Sequence, residues 1–123
     1  MYTITAPYMP PAVVAYFAAM NRHDTAGMAA LFPPDGLIND IQRDFWGAAA
    51  ITRFLDREIT GDEVVATRVV ESKQHYGDYI VAATIDGEYD KTGVPDPLIL
   101  TFYFSLAGDQ ISRLIILANR PAD

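Results

Sequence analysis

The chain contains no cysteine, which excludes disulfide bonds, thiolate nucleophiles and cysteine-ligated metal sites. It has only two histidines, His23 and His75, and they are too far apart to form a metal-ligand motif. P-loop, dinucleotide-binding and G-x-S-x-G signatures are also missing. We therefore predict no metal and no cofactor.

Positive charge is scarce as well: nine Lys and Arg residues stand against 16 Asp and Glu residues, for a formal net charge of -7. Binding to a phosphate backbone needs clustered Lys and Arg, so this composition argues against nucleic acid as a partner. No apolar run approaches the ~20 residues of a membrane-spanning helix, and the amino terminus lacks the pattern of a secretion signal. We expect a soluble cytoplasmic protein with no membrane partner.

What the chain does have is apolar side chains, which make up half of its 123 residues. A chain of this length can bury roughly two-thirds of its unfolded surface around one core. No linker, repeat or low-complexity tract divides it. We expect a single domain over residues 1–123.

Two helices are predicted before residue 35. Residues 10–21 open with prolines, which a first helical turn tolerates, and then carry apolar residues at helical spacing, at Val13, Phe17 and Met20. Asp24 or Thr25 can cap a short second helix, which the prolines at positions 33 and 34 cannot continue.

The rest of the chain predicts a sheet and one more helix. A short strand over residues 36–42 precedes a third helix over residues 47–58. Runs of β-branched and aromatic residues then predict four long antiparallel strands, over residues 64–76, 79–90, 98–107 and 110–118. Helices gathered before a meandering sheet indicate an α+β fold.

The first chemical feature is a carboxylate, Asp40, inside the apolar run of residues 36–41. Burying a lone carboxylate costs several kcal/mol, so Asp40 implies a partner, a proton or a catalytic task. One alternative is a structural ion pair with Arg43 or Arg113. The second feature is Tyr16 on the first helix, whose alternative is a packed ring with its hydroxyl at the rim.

A third feature is Arg113, which alternation through the last strand places on one face with apolar residues, namely Ile111, Ile115 and Leu117. An inward arginine needs an anion, which Asp40 or a ligand carboxylate would supply. The alternative is a side chain extended to solvent at the end of the sheet, or a dimer contact.

The order helix, helix, short strand, helix and four-stranded sheet resembles the NTF2-like superfamily, which contains SnoaL-like and ketosteroid-isomerase-like proteins. The resemblance is carried by Tyr16-Phe17-Ala18-Ala19-Met20-Asn21-Arg22-His23-Asp24, Leu31-Phe32, Asp40, Gly47 and Ala50-Ile51. The segment over residues 90–97 resembles a loop of a SnoaL-like branch. This resemblance implies a cone in which three N-terminal helices pack on a curved, mainly antiparallel sheet around a cavity, and a homodimer formed through the exposed sheet face.

The resemblance also implies roles for the two polar residues. Tyr16 matches the tyrosine that stabilises the enolate oxygen in ketosteroid isomerases, and Asp40 matches their proton-shuttling aspartate. The second oxyanion donor of those enzymes falls at Leu100 or Thr101, so the ketosteroid pattern is incomplete. Residues 98–106 also lack the later aspartate of polyketide-cyclase relatives.

The sequence therefore predicts a binding site for a small apolar molecule that bears a carbonyl or a carboxylate. Asp40 would be the general base and Tyr16 the oxyanion donor of an isomerase-like or cyclase-like reaction. The candidate substrate-binding residues are Arg113, Phe17, Met20, Trp46, Leu100 and Phe102. Trp46 is expected either to roof the cavity or to fasten the third helix to the sheet, and the strand register leaves open which face of residues 98–107 is inner.

Two alternatives remain open at this stage. One is a ligand-binding or dimerisation module without chemistry. The other is a water-activating site similar to that of limonene epoxide hydrolase, in which an arginine bridges two aspartates. Asp40 and Arg113 would belong to such a site.

Overall fold

The computed structural model describes residues 8–118, which form three helices, a π-helical segment and a six-stranded sheet, with the first two strands between the second and third helices. The helices are α1 (Pro11–Asn21), α2 (Thr25–Ala29) and α3 (Gly47–Phe54), and a π-helical segment (Leu55–Thr60) continues α3. The strands are β1 (Leu37–Asp40), β2 (Arg43–Trp46), β3 (Val65–His75), β4 (Asp78–Asp86), β5 (Leu98–Ala107) and β6 (Gln110–Ala118). The predicted α+β fold is confirmed. Between residues 8 and 118, no helix is long and apolar enough to cross a membrane.

The sheet has the strand order β2-β1-β6-β5-β4-β3. Strands β3 to β6 pair with their sequence neighbours as an antiparallel meander, and β1 lies parallel to β6. Irregular register occurs within both the β3–β4 and the β5–β6 pairs. Such bulges bend strands and increase their twist, which suits a sheet that curves around the helices.

The early strand differs from its prediction, because residues 36–42 form the first half of a hairpin rather than one strand. Ile41 and Gln42 adopt positive φ angles of 47° and 69°, the conformation of a two-residue hairpin turn, and β2 returns beside β1. A β-branched residue is rarely found at positive φ, so the sequence gives little sign of this turn. Strand β4 also ends four residues earlier than predicted, and residues 87–97 form a loop.

The core lies between the helices and one face of the sheet. On β5, Phe102 and Phe104 are buried and Leu100 is half-buried, so this set forms the inner face. Tyr16 and Phe17 of α1 pack against these rings, and the Phe17 and Phe102 centroids lie 5.1 Å apart. The register left open by the sequence is thereby assigned.

The inward orientation predicted for Arg113 is wrong. Ile111 is buried, but after it the buried residues of β6 are Leu114 and Ile116, so Arg113 lies exposed on the outer face. A register shift at Ser105 and Leu106 of β5 breaks the simple alternation on which the prediction depended. Nη2 of Arg113 lies 3.3 Å from the Ser105 hydroxyl, on the side of the sheet away from Asp40.

Candidate functional site

A cavity of about 610 Å³ lies where the end of β1, the π-helical segment and the loop before β5 converge. Its wall is largely apolar, and three carboxylates interrupt it. A mostly apolar cavity with a few placed polar groups is the usual form of a small-molecule site. The lining residues are Asp40, Ile41, Glu58, Ile59, Asp62, Val64, Ile85, Tyr89, Gly93, Val94, Pro95, Leu98, Leu100 and Ala118.

Asp40 enters the cavity from the end of β1. Its register partners are Ile116 on β6 and Arg43 on β2, and its side chain is only 16% exposed. Burial raises the pKa of the Asp40 carboxyl above its ordinary value, and the hydrogen bond from Arg43 opposes that rise. A carboxylate with a raised pKa in an apolar wall is suited to accept a proton from a bound molecule.

Arg43 connects Asp40 to the second carboxylate of the site, Glu58. Its Nη2 atom donates to Oδ2 of Asp40 at 2.5 Å and to Oε1 of Glu58 at 2.7 Å, and its Nη1 atom donates to Oε2 of Glu58 at 3.0 Å. Glu58 and then Asp40 raise the pKa of the guanidinium, so it stays charged. The two carboxylates therefore share one cation.

The position of Glu58 depends on the π-helical segment. Gly61 N donates to Asp56 O and Val64 N to Ile59 O, both with the wide five-residue spacing of a π-turn. The segment places Glu58 and Ile59 in the cavity wall. Thr25 and Thr60 hydroxyls, 2.6 Å apart, tie its end to α2.

The loop over residues 87–97 closes the other side of the cavity. It begins where Glu88 N donates to Asp62 O at 2.6 Å, and Tyr89, Val94 and Pro95 line the cavity. The same three residues line a neighbouring cavity of about 470 Å³. The loop is thus a partition between two cavities.

Tyr16 lies in the aromatic core rather than in the cavity wall. Its ring makes edge contacts with Phe17 and Phe104, with centroids 5.6 Å away in each case. Its hydroxyl is buried without a hydrogen-bond partner in the described part of the chain. Burial, and secondarily the charge of Asp40, raise the pKa of the Tyr16 hydroxyl far above its ordinary value, so the phenol stays protonated.

The other predicted site residues divide into three groups. Leu100 lines the cavity together with Asp40. Phe17, Met20 and Phe102 are buried in the core and do not belong to the cavity wall. Trp46 is 64% exposed and so covers no cavity, and Arg113 lies on the outer face. The structure therefore brings Asp40 and Leu100 together and separates them from Trp46 and Arg113.

Several residues of the site were not predicted, among them Glu58, Asp62 and Tyr89. The sequence predicts Arg43 only as an alternative partner of Asp40, and the structure confirms that pair. The signal for this pair in the sequence is the spacing of three residues between Asp40 and Arg43. Between residues 8 and 118, no group of three or more acidic or histidine side chains is arranged to hold a metal ion.

Comparison with known proteins places the chain in a family, because the SnoaL-like domain matches residues 13–114. The chain belongs to the SnoaL-like family. A search of curated proteins found no significant match. This SnoaL-like protein does resemble many solved structures.

Three of these solved structures show how similar the matches are in sequence and in fold. A provisionally assigned polyketide cyclase from Sinorhizobium meliloti is 28% identical, with a TM-score of 0.76, and the match covers 88% of this chain and 94% of the other. A second such protein, from Xanthomonas campestris pv. campestris, is 25% identical over 88% and 87%, with a TM-score of 0.72. A protein with a ketosteroid isomerase-like fold from Catenulispora acidiphila, in complex with trimethylamine, is 19% identical over 89% and 85%, with a TM-score of 0.72, and shares the fold.

Proposed function

We propose that this SnoaL-like protein binds a small, mostly apolar carbonyl compound in the cavity beside Asp40, and that Asp40 acts on it as a general base. The observation that carries the proposal is the Asp40 carboxylate, 16% exposed, in the wall of an apolar cavity of about 610 Å³. The similarity to provisionally assigned polyketide cyclases supports chemistry of this kind.

The proposed reaction is an isomerase-like or cyclase-like proton transfer without a cofactor. Asp40 removes a proton from the carbon next to the carbonyl, and the electron pair of that C–H bond moves onto the carbonyl oxygen to give an enolate. In a substrate with a C=C bond beside that carbon, return of the proton from Asp40 to the far carbon of the C=C bond would shift the double bond, re-form the carbonyl and complete an isomerisation. Arg43 occupies Oδ2 of Asp40, so Oδ1 is the oxygen proposed to take the proton.

Tyr16 is the proposed donor to the enolate oxygen. Its buried hydroxyl has no acceptor among the described residues and remains protonated, so its proton is free for a ligand oxygen. Because Tyr16 is outside the cavity wall, this role requires the ligand oxygen to enter the aromatic cluster around Phe17 and Phe104.

The ligand group is proposed to be a carbonyl rather than a carboxylate. Arg113 is on the outer face, and Arg43 is already bound by Asp40 and Glu58. Neither arginine is therefore available to pair with a ligand carboxylate.

A second candidate function is supported by the arginine between two carboxylates. Arg43 contacts both Asp40 and Glu58, an arrangement similar to the water-activating site considered from the sequence, with Arg43 in place of Arg113 and Glu58 as the second carboxylate. In that case Asp40 would remove a proton from water, and the water oxygen would attack an epoxide carbon while the C–O bond breaks. The alkoxide so formed would take up the proton held by Asp40 to give a diol. Hydrolysis of styrene oxide that is lost in both Asp40→Asn and Glu58→Gln would favour this candidate.

The protein is further proposed to be a homodimer through the outer face of the sheet. Two rows of side chains cross that face, one through Ile80, Tyr103 and Ile115, the other through Ala82, Thr101 and Leu117. These rows are half-buried or exposed in the isolated chain, so a second copy would cover apolar area there.

The proton-transfer proposal is tested with a simple ketone, 4-methylcyclohexanone, in D₂O. Proton NMR follows exchange of its α-hydrogens, and methyl shifts of Ile59, Leu98 and Leu100 report binding. We expect wild-type protein to accelerate exchange, Asp40→Asn to abolish the acceleration without loss of binding, and Asp109→Asn to retain it. Asp109 is an exposed turn residue that does not line the cavity, and its variant makes the same change in charge.

Each other outcome has a distinct meaning. Acceleration that persists in Asp40→Asn would remove Asp40 from the mechanism. Binding without any acceleration would favour the alternative of a ligand-binding module without chemistry. Unchanged methyl shifts at saturating ketone would contradict the assignment of this cavity as the ligand site.

A further inference from the structure

The cavity and the side chains joined to it carry an excess of negative charge. Asp40, Glu58 and Asp62 line it, and none of the described residues in its wall is Lys, Arg or His. Arg43 is the cation joined to this group, through Asp40 and Glu58. Three carboxylates and one guanidinium leave two formal negative charges in excess beside an apolar wall.

Asp62 is the carboxylate that Arg43 does not neutralise. Within residues 8–118 its side chain forms no ion pair or hydrogen bond, whereas both oxygens of Glu58 bind Arg43. The backbone of Asp62 is fixed, because its carbonyl accepts the Glu88 amide at 2.6 Å. The backbone at Asp62 is therefore held in place, while its carboxylate has no partner among residues 8–118.

Lys91, the cation of the loop over residues 87–97, is also engaged elsewhere. Nζ of Lys91 lies 2.7 Å from Oδ1 of Asp86, and Lys91 lines the neighbouring cavity of about 470 Å³ rather than this one. The ring of Tyr89 lies in the wall of both cavities. Nζ of Lys91 also lies 5.4 Å from the centroid of the Tyr89 ring, so this ring already contacts a cation, and the negative charge of the site comes from the three carboxylates.

From this arrangement we infer that the cavity selects its ligands by charge: it prefers apolar molecules that carry a protonated or quaternary amine and rejects anions, and Asp62 is the residue that determines this preference. The inference rests on the proposed function in that the cavity must be the ligand site. The apolar wall of Ile59, Val64 and Leu98 specifies an organic cation rather than a bare metal ion.

The test uses three probes with the same tert-butyl tail and different head groups: protonated 3,3-dimethylbutylamine, neutral 3,3-dimethyl-1-butanol and anionic 3,3-dimethylbutanoate. NMR titration of the cavity methyl groups at pH 7 measures each affinity. We expect the amine to bind about tenfold more tightly than the alcohol. A factor of about ten corresponds to one favourable contact between opposite charges in a site of intermediate dielectric. The butanoate should not bind measurably, and added salt should reduce the preference for the amine.

Variants separate charge selection from cavity binding. Asp62→Asn should weaken amine binding about tenfold and leave the alcohol unchanged, whereas Asp109→Asn should change neither. Alcohol binding with no preference for the amine, or equal binding of the butanoate, would overturn the charge selection while the cavity remained a ligand site. Loss of binding for all three probes would overturn the proposed function and, with it, this inference.

Discussion

Asp40 and Arg43 are register partners at the end of the β1–β2 hairpin, and Nη2 of Arg43 lies 2.5 Å from Oδ2 of Asp40. The two-residue turn between them fixes this pairing, since a hairpin places the residues before and after its turn opposite each other. The same guanidinium reaches Glu58 on the π-helical segment. One arginine thus links the hairpin to the helical side of the cavity.

Replacing Arg43 with Gln should destabilise the protein by about 1 kcal/mol. The pair is partly solvated, which limits the loss, but Asp40 is poorly exposed and would lose the cation that offsets its burial. Chemical denaturation at pH 7 measures the change. The pKa of Asp40 should also rise further, which a ¹³C NMR titration of its carboxyl carbon would show.

The control for Arg43 is Arg22→Gln, which removes an exposed pair with Asp24. That substitution should have the smaller effect on unfolding, because both partners are well solvated. Equal effects of the two substitutions, together with an unchanged Asp40 pKa, would contradict the bridging role given to Arg43.

The difference in unfolding free energy between Asp40→Asn and wild type should increase as the pH rises. The folded-state pKa of Asp40 is raised above its unfolded value, so its favourable contribution is complete below about pH 3.9 and is lost as pH rises through the folded pKa. Asp40→Asn should therefore gain stability relative to wild type between those values and keep the gain at neutral pH. Denaturation series from pH 4 to pH 8 measure this difference.

Asp24→Asn is the matched control because it should behave in the opposite way. A hydrogen bond from Gly27 N, and then Arg22, lower the pKa of Asp24, so its contribution is present above the unfolded value and is lost as pH falls through the folded pKa. A difference of the same sign for both variants would show that the pH dependence does not come from the environment of Asp40.

Much of the fold follows from local patterns. The spacing of Val13, Phe17 and Met20 predicts the buried face of α1, and Asp24 caps α2 through its bond to Gly27 N. Strands β5 and β6 have the predicted bounds because their β-branched and aromatic runs end at clear turn residues. Such signals are local, and the sequence carries them directly.

The composition of the site was harder to predict because it depends on irregular backbone. A register shift in the β5–β6 pair turns Arg113 outward, and strict alternation cannot anticipate it. Glu58 reaches the cavity through a π-helical segment, and Tyr89 through a loop between strands. Asp40 can be predicted from the sequence because a carboxylate among apolar neighbours requires a partner, a proton or a function in any fold.

Tyr16→Phe should raise the unfolding free energy by about 1 kcal/mol. The hydroxyl is buried without a partner in the described residues, and an unsatisfied buried hydroxyl costs about 1–3 kcal/mol. Chemical denaturation at pH 7 measures the gain, and Tyr76→Phe serves as the control, with little change expected, because Tyr76 is 95% exposed. If Tyr16 is also the oxyanion donor, accelerated exchange of 4-methylcyclohexanone should fall about a hundredfold. A less stable Tyr16→Phe would mean that the hydroxyl has a structural partner.

Leu117→Lys should convert the proposed homodimer into a monomer. Leu117 is 46% exposed on the outer face of the sheet, at the β6 end of one of the rows proposed to meet a second copy. In a two-fold interface each substitution occurs twice, so two like charges would be desolvated against an apolar surface. Sedimentation velocity measures the mass.

Val14→Lys is a matched control, since Val14 is 47% exposed but lies on α1, and it should leave the dimer intact. A wild-type protein that sediments as a monomer, or a Leu117→Lys variant that stays dimeric, would exclude this face as the interface.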